Sequence, residues 1–426
     1  MKKIVVIGGG LAGLSAASFL SNAGFKIELL EASPKLGGRA YSFLDNETGA
    51  VIDNGQHILM GCYNETLNFF KLIGAEENLT KQSHLSLNFV KQNFELCPLK
   101  ASGSLYPFNL LSAVFNYSAI SFYEKLLFIK FFTKIYLYTD KDLKELTVLE
   151  WLLLEKQTAN LIKSFWEIFA VSALNTDIKK ASAKIFAAVI KKIFFRGNDA
   201  SAIILPSLGL TEAYCDDALR FINNKEGRFS FSEPVITLNV QDSVIKEIVT
   251  TKRVISDFDC VISAIPLYAL KKIMTGKNFL PDLEFDYSSI LTAHLFLKEN
   301  RFVNTFYGLI DSPVQWVFNK GTHLTVVISN ADNFMGVSQE EIIELILDEL
   351  NKYILLGRSE ISTYKIIKEK RAAFIPSNDI LDKRPSVYTP FKNFFLAGDW
   401  TDTGLPATIE SAVKSGRIAA DAVRSL

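Results

Sequence analysis

Apolar and polar positions along this chain follow two rhythms. The β-branched run Ile4-Val5-Val6-Ile7 leads into an uncharged stretch rich in Ala, Leu and Ser up to Asn22, then into "FKIELLE", which closes at Glu31. This pattern predicts strand, buried helix and strand. Further on, "PVITLNV" and "SVIKEIVTT" alternate as short strands and "DCVISAIP" (259–266) is almost wholly apolar. The last block pairs a strand, "FFLA", with a helix bearing Ala412, Gly416 and Ala420 on one face. Between these blocks lie a long stretch read as helical and a mixed one holding "LTAHLFL", "LTVVIS" and the helix "SQEEIIELILDELNKYI", opened by Ser338 and Glu341 at capping-box spacing. No fixed-period repeat or low-complexity linker separates them. The reading is therefore two interleaved units: 1–74, 225–280 and 386–426 form one, and 75–224 (helical) and 281–385 form the other. The expected class is α/β, a Rossmann-like nucleotide domain interleaved with an α+β domain of antiparallel sheet and helices.

Spacing gives the first unit its chemistry. Gly8, Gly10 and Gly13, with Leu11 and Ala12 between them, spell G-x-G-x-x-G directly after a strand and at the start of a helix. One glycine makes the tight turn, the next lets backbone approach a pyrophosphate, and the third lets helix pack on strand. Glu31, followed by Ala32, ends the second strand, where an acid accepts hydrogen bonds from ribose hydroxyls. Val235, opening the second block's first strand, is counted with these contacts. Two lysines before an apolar run also suit a secretory leader, but no small-residue cleavage site follows, so the run is expected to remain as buried strand and helix.

Composition narrows the partners. The 426 residues carry 46 Lys plus Arg against 46 Asp plus Glu, so no basic surface calls for nucleic acid. A count of 33 Phe and 14 Tyr asks for much buried apolar area, an apolar ligand or a membrane surface. Residues 105–123 contain no charge. With Pro107 and several hydroxyl and amide side chains, they fit helices walling an apolar cavity or a membrane-surface patch better than a membrane span. Cys62, Cys97, Cys215 and Cys260 are widely spaced, which points to neither disulfides nor a metal site, and a cytoplasmic protein, peripheral at the inner membrane at most, is expected.

Two later motifs sharpen the nucleotide reading. In "LGGRA", Gly37 and Gly38 permit close backbone approach and Arg39 adds a cation. In the last block Gly398 and Asp399 follow the strand, and Pro406 is read near the first position of the final helix. G-x-G-x-x-G, G-G-R, "DCVISAIP" and the terminal G-D turn, in that order, resemble the superfamily of FAD-dependent amine oxidases and carotenoid desaturases from end to end of the chain. "TGAVIDNGQHILMGCYNETLNFFKLIG" from Thr48, "ALNTDIKKASAKIFAAVI" from Ala173 and "LAGDWTDTGLPATIESAVKSGR" from Leu396 are similar to the bacterial hydroxysqualene dehydroxylase family, also called squalene-associated FAD-dependent desaturases.

The resemblance implies non-covalent FAD and an FAD-dependent oxidoreductase that reductively removes the hydroxyl of hydroxysqualene to give squalene, for hopanoid or related triterpenoid synthesis. Asp399 would meet the ribityl and pyrophosphate oxygens. The N–H groups of Ala407, Thr408 and Ile409 would face the flavin pyrimidine edge, where a helix N-terminus steadies negative charge. Asn54 and Gly55 would lie against the flavin. Asp177, where many members carry proline, and the looser "LPSLGLTEAYCDDAL" depart from the pattern on the substrate side. Losing an allylic hydroxyl as water needs an acid; His57 is the first candidate, oriented by Asp53 or Gln56, against the reading that Asp53-Asn54-Gly55 is a turn and His57 bonds only backbone or flavin. Phe165, Trp166 and Trp400 offer aromatic faces to a developing cation, or are core. Three other readings stand beside this one. A desaturase would take hydride from substrate. An amine oxidase would want aromatics where Leu405-Pro406-Ala407 stands. A non-catalytic FAD-bound scaffold would tolerate loss of motif residues that are all present here. One complete dinucleotide fingerprint, taken by FAD, leaves reduction to a transiently bound nicotinamide or a partner protein.

Overall fold

The computed structural model describes residues 1–103, 105–274, 279–280 and 283–426. The expected boundary between 280 and 281 therefore falls at the edge of a segment outside the described residues.

Five strands form an all-parallel sheet in the order Arg228–Ser230, Lys26–Leu30, Lys3–Ile7, Cys260–Ser263, Phe394–Leu396. The order reverses direction on either side of Lys3–Ile7, and a crevice opens beyond the strand C-termini at such a point. Alternate side chains of each strand serve opposite faces. Ile4 and Val6 pack with Ile27, Leu29 and Ile262 against Leu11–Asn22, Ile409–Arg424 and Asn64–Ile73. Val5 and Ile7 pack with Leu30, Val261 and Leu396 against the small antiparallel sheet of Val235–Gln241, Val244–Thr250 and Val254–Ile255 and the helix Leu267–Ile273. The two-sided burial explains why these strands read as unbroken apolar runs.

The second sheet has seven strands in the order Ile361–Phe374, Tyr287–Leu297, His323–Ser329, Trp316–Asn319, Phe306–Leu309, Ser86–Lys91, Glu95–Lys100. Its pairings are antiparallel except Phe306–Leu309 with Ser86–Lys91. One face holds Leu291, Ala293, Val317 and Val326 against the helix Gln339–Ile354, whose Ser338 and Glu341 form the expected capping box. The other face, with Ile290, Phe306, Trp316 and Val327, meets the helical layer of residues 108–195.

The stretch 75–224 differs from its helical reading at both ends. Residues 86–100 supply two strands of the large sheet, with Leu87, Phe89, Cys97 and Leu99 turned inward at alternate positions. At the other end Ala213, Tyr214, Ala218 and Ile222 pack beside Ile4 and Leu14 on the parallel sheet, because Asp216–Asn223 is strongly two-sided and its apolar side finds the nearest core. The uncharged run 105–123 is split between Phe108–Asn116 and Phe122–Ile135, and among the described residues no helix is long and apolar enough to cross a membrane.

Candidate functional site

The turn after Lys3–Ile7 is built by exclusion of side chains. Gly8 has φ +106°, and a Cβ on Gly13 would sit 1.9 Å from the Gly8 carbonyl oxygen. The helix Leu11–Asn22 thus presses directly on the turn, and its N-cap Gly10 provides no side-chain cap for the first-turn N–H groups. The second glycine motif stacks on the first. The Gly37 N–H donates to the Gly9 carbonyl at 2.9 Å, and a Cβ on Gly38 would lie 3.1 Å from Gly10 Cα. Glu31 accepts hydrogen bonds from the Gly9 N–H at 2.5 Å and the Ser33 N–H at 2.8 Å. Val235 starts a strand just after Glu233, whose N–H donates to the Glu31 carbonyl. A glycine turn closed to Cβ atoms, uncapped helix N–H groups and an acid at the second strand's end together fit a dinucleotide.

Arg39 and Asp399 meet across this cradle. Arg39 Nη2 donates to Asp399 Oδ1 at 2.6 Å and Nη1 to the Ala372 carbonyl at 3.1 Å. Asn54 is occupied rather than open. Its side chain accepts from the Tyr41 N–H and donates to the Arg39 carbonyl, so it holds the G-G-R loop from behind. At Gly398, with φ +138°, a Cβ would fall 2.5 Å from Trp400 Nε1, and the Gly398 N–H donates to Ser415 Oγ at 2.7 Å. The final helix begins at Ile409, later than expected, because Thr408 caps it through the Ser411 N–H. Pro406 therefore lies in the approach loop, outside the first turn. A Cβ on Gly416 would be 2.2 Å from the Ala12 carbonyl, so the small-residue face packs closely on Leu11–Asn22.

Two residues that sequence reasoning missed organise this end. The buried guanidinium of Arg384 donates to the carbonyls of Asp399, Thr401 and Leu405, fixing the loop between Asp399 and the helix. Burial lowers its pKa to about 10, which leaves it charged at neutral pH. Glu410 accepts from the N–H groups of Glu65 and Thr66 and from Thr66 Oγ1, capping Asn64–Ile73, whose own N-cap Tyr63 supplies no side-chain bond. The sequence offers only an acid in the first turn of the last helix; its partners, some 345 positions away, appear in the structure alone.

Asp53, Gln56 and His57 cluster at the border of the two sheets, but neither expected partner holds the imidazole. His57 Nδ1 donates to the Gly55 carbonyl at 2.8 Å, leaving Nε2 as the acceptor. Gln56 Nε2 donates to the His57 backbone carbonyl, and Asp53 Oδ1 accepts from the Leu210 N–H. The reason is local: in a tight Asn54-Gly55 turn the nearest acceptor for the ring is the carbonyl two residues back. Burial lowers the His57 pKa and raises that of Asp53, so the imidazole is neutral at neutral pH.

Asp53 and Gln56 line a cavity of about 710 Å³ between the 48–56 segment, residues 205–209 and the large sheet. Lys320 reaches to 4.0 Å from Asp53 Oδ2 inside it. His294 Nε2 donates to the Asp53 carbonyl at 2.9 Å, and its Nδ1 lies 3.1 Å from Thr325 Oγ1. Phe296, Phe318, Leu205 and Leu208 supply its apolar wall. Gln56 Oε1 and Thr292 Oγ1 are buried without a hydrogen-bond partner beside it. A second cavity of about 360 Å³ is bordered by Arg39, Tyr287, Glu369, Asp399 and Trp400. Of the aromatic candidates, Trp166 stacks on Phe128 at 4.8 Å and donates to Gln157, and Phe165 packs edge-on to both rings, so these two are core. Trp400 Nε1 donates to the Ile265 carbonyl and steadies the loop beside Gly398.

Comparison with known proteins agrees in scale and kind. The model of the flavin containing amine oxidoreductase family matches residues 11–424. The hydroxysqualene dehydroxylase of Zymomonas mobilis is 30% identical over 98% of this chain and 97% of its own length, and that of Sinorhizobium fredii 27% over 99% and 98%. A zeta-carotene desaturase of Synechocystis is 24% identical over 99% and 97%. Among solved structures, putrescine oxidase bound to putrescine superposes with a TM-score of 0.71 at 15% identity, covering 100% of this chain and 99% of its own. Cyclohexylamine oxidase from Brevibacterium oxydans gives 0.69 at 16% with the same coverage; these two likenesses are of fold.

Proposed function

This chain belongs to the flavin containing amine oxidoreductase family and, within it, to the hydroxysqualene dehydroxylases, and from that premise we propose that it removes the hydroxyl of hydroxysqualene reductively to give squalene. It is an FAD-dependent oxidoreductase. The observation that carries the reading is near-full-length likeness to bacterial hydroxysqualene dehydroxylases; the cavity beside Asp53 and Gln56 has a mixed lining, with Leu205, Leu208, Phe296 and Phe318 set among threonines, His294, His323 and Lys320.

FAD, when bound, supplies two-electron chemistry: reduced for dehydroxylation, oxidised for desaturation. The chain's residues do the rest. Gly8, Gly10, Leu11, Ala12 and Gly13 receive the pyrophosphate at uncapped N–H groups, and Glu31 takes the ribose, with Ala32 and Val235 alongside. Gly37, Gly38, Arg39, Gly398 and Asp399 would form the other wall, and the N–H groups of Ala407, Thr408 and Ile409 would face the flavin's pyrimidine edge. Gly55 would lie against the ring system, while Asn54 serves by holding the Arg39 backbone.

His57 stands as the residue that delivers a proton to the departing hydroxyl, which leaves as water while hydride fills the carbon it vacates. Its Nδ1–H is committed to Gly55, so Nε2 is the atom that takes up a proton from solvent and passes it to the hydroxyl. Burial opposes a resident charge there, so the proton is held only transiently. Asp53 acts through the surrounding field rather than by contact with the ring. Phe296 and Phe318 exclude water from a long isoprenoid. Reduction comes from a transient nicotinamide or a protein donor, and delivery from a membrane surface belongs to the same reading.

The zeta-carotene desaturase likeness keeps one rival, and a single experiment separates the two. The flavin is reduced anaerobically, hydroxysqualene is added, and the return of oxidised-flavin absorbance is followed with mass spectrometry of the product. Reoxidation matched by squalene supports dehydroxylation. A flavin that stays reduced, while the oxidised protein bleaches with squalene or a carotene precursor, overturns it.

A further inference from the structure

The helix Phe108–Asn116 is packed inside out. It buries Asn109 and Ala113, with Asn109 donating to Asn198 and to the Ala101 carbonyl, while Phe108 stands 65% exposed and Phe115 44%. A lone exposed apolar residue means nothing, but an exposed contiguous group does. The next helix, Phe122–Ile135, continues the group: Phe122, Tyr123 and Leu126 are exposed while Phe128, Phe131 and Ile135 are buried. The rings of Phe115 and Phe122 lie 6.4 Å apart, and Lys125 Nζ donates to the Phe115 carbonyl, joining the two helices into one surface.

Positive charge predominates along this two-helix segment. Across residues 105–138 the acid is Glu124, and it is buried among Ser121, Thr158 and Asn160. The cations are Lys125, Lys130 and Lys134; Lys134 is paired with Glu155 at 2.8 Å, while Lys130 is exposed on the helical side that carries Phe122 and Leu126. The chain as a whole is balanced, so the local excess belongs to the patch.

We propose that this two-helix surface docks on a bilayer of anionic phospholipid, with Phe108, Phe115, Phe122 and Leu126 entering the interface and Lys130, with Lys125 beside it, meeting phosphates. A second copy of the chain fits less well, because a two-fold contact would set like-charged rims against each other. The apolar layer behind the patch, where Phe128 stacks on Trp166 and Phe165, leads toward the large sheet. The inference rests on the isoprenoid reading for its purpose, since a thirty-carbon hydrocarbon is held in lipid. Its test uses no substrate, so the two can fail separately.

The FAD-loaded full chain is sedimented with vesicles of phosphatidylethanolamine and phosphatidylglycerol, and with phosphatidylcholine alone. Binding is expected to the anionic vesicles, weakening with salt. The double variant Phe108→Ser/Phe122→Ser is expected to bind about tenfold or more weakly, with flavin absorbance unchanged. Lys130→Glu, on an exposed position, serves as an independent probe if the double variant folds poorly, and is expected to lose about tenfold on anionic vesicles alone. Unchanged sedimentation of both variants overturns the proposal. So does a wild-type dimer in sedimentation velocity that Phe108→Ser/Phe122→Ser makes monomeric.

Discussion

The parallel sheet and the seven-stranded sheet each present a site, and they build it from different materials. Around the parallel sheet the shape is backbone: Gly8, Gly13, Gly38 and Gly416 stand where a Cβ would fall 3.1 Å or less from another main-chain atom. On the large sheet the shape is side chain, with Ile52, Leu205, Phe296, Phe318 and Lys320 arriving from separate segments to wall one cavity. Backbone-made sites tolerate almost no substitution at their glycines and bind a fixed ligand. Side-chain-made sites can be re-cut one wall at a time, which is how one fold serves amines, carotenes and squalene relatives.

The largest effect that tests this contrast is expected from Gly13→Val. Its Cβ would fall 1.9 Å from the Gly8 carbonyl, so the helix must leave the turn, at a cost of about 3 kcal/mol or more. The chain should be recovered without flavin and without activity. Full flavin absorbance in the purified variant would sink the backbone argument.

Next in size is His57→Phe, in the border region. With Nε2 removed and the fold intact, kcat should fall about 100-fold or more while flavin content stays at wild-type level. A kcat within about threefold of wild type would return His57 to a purely local role in its turn. Because Asp53 and Gln56 do not touch the ring, Asp53→Asn is expected to do less than His57→Phe, and the reverse order would restore the direct-orienter reading.

The contrast also explains what was legible beforehand. G-x-G-x-x-G, G-G-R, the apolar strand at 260–263 and the terminal G-D turn could be read because each is a local rule about backbone, written in consecutive residues. The start of the final helix was misplaced, since Pro406 is a strong local cue but Thr408 makes the cap. The strands at 86–100 carried visible alternation at Leu87 and Phe89, yet helix-rich surroundings masked it. Arg384, Glu410, Lys320 and His294 could not be assigned from their neighbours: their partners lie outside their own local segment or are fixed by the packing of two sheets.

A smaller effect returns to the nucleotide side. Glu410→Gln keeps the shape but removes the charge that caps Asn64–Ile73 through Glu65 and Thr66. A loss of about 1–2 kcal/mol in unfolding free energy is expected, read by denaturant titration of the FAD-loaded protein. A neutral result would mean that Lys192, 3.9 Å from Glu410, had been compensating an acid the fold does not need charged.

The smallest effect lies in the cavity and in pH. His294 donates from Nε2 to the Asp53 carbonyl and accepts at Nδ1 from Thr325, so both nitrogens are satisfied in the neutral ring. Burial, with His323 and Lys320 near, lowers its pKa to about 4, and burial lowers His323 to about 4 as well. In the unfolded chain each titrates near about 6.5. Between these values the unfolded state binds more protons, so stability falls as pH drops from about 6.5 to about 4, by at most about 1.4 kcal/mol per pH unit for each ring. Asp53 works the other way: its carboxyl is held above the usual range by burial, so its protonation favours the fold as pH falls. The wild-type slope mixes the two, and the informative quantity is the difference left by His294→Gln, whose amide keeps a donor toward the Asp53 carbonyl but has nothing to titrate. Denaturant titrations from neutral to mildly acidic pH should show a shallower acid loss in that variant. An unchanged slope would mean that the His294 ring takes up its proton without cost, and that the cavity is wetter and less rigid than its side-chain walls imply.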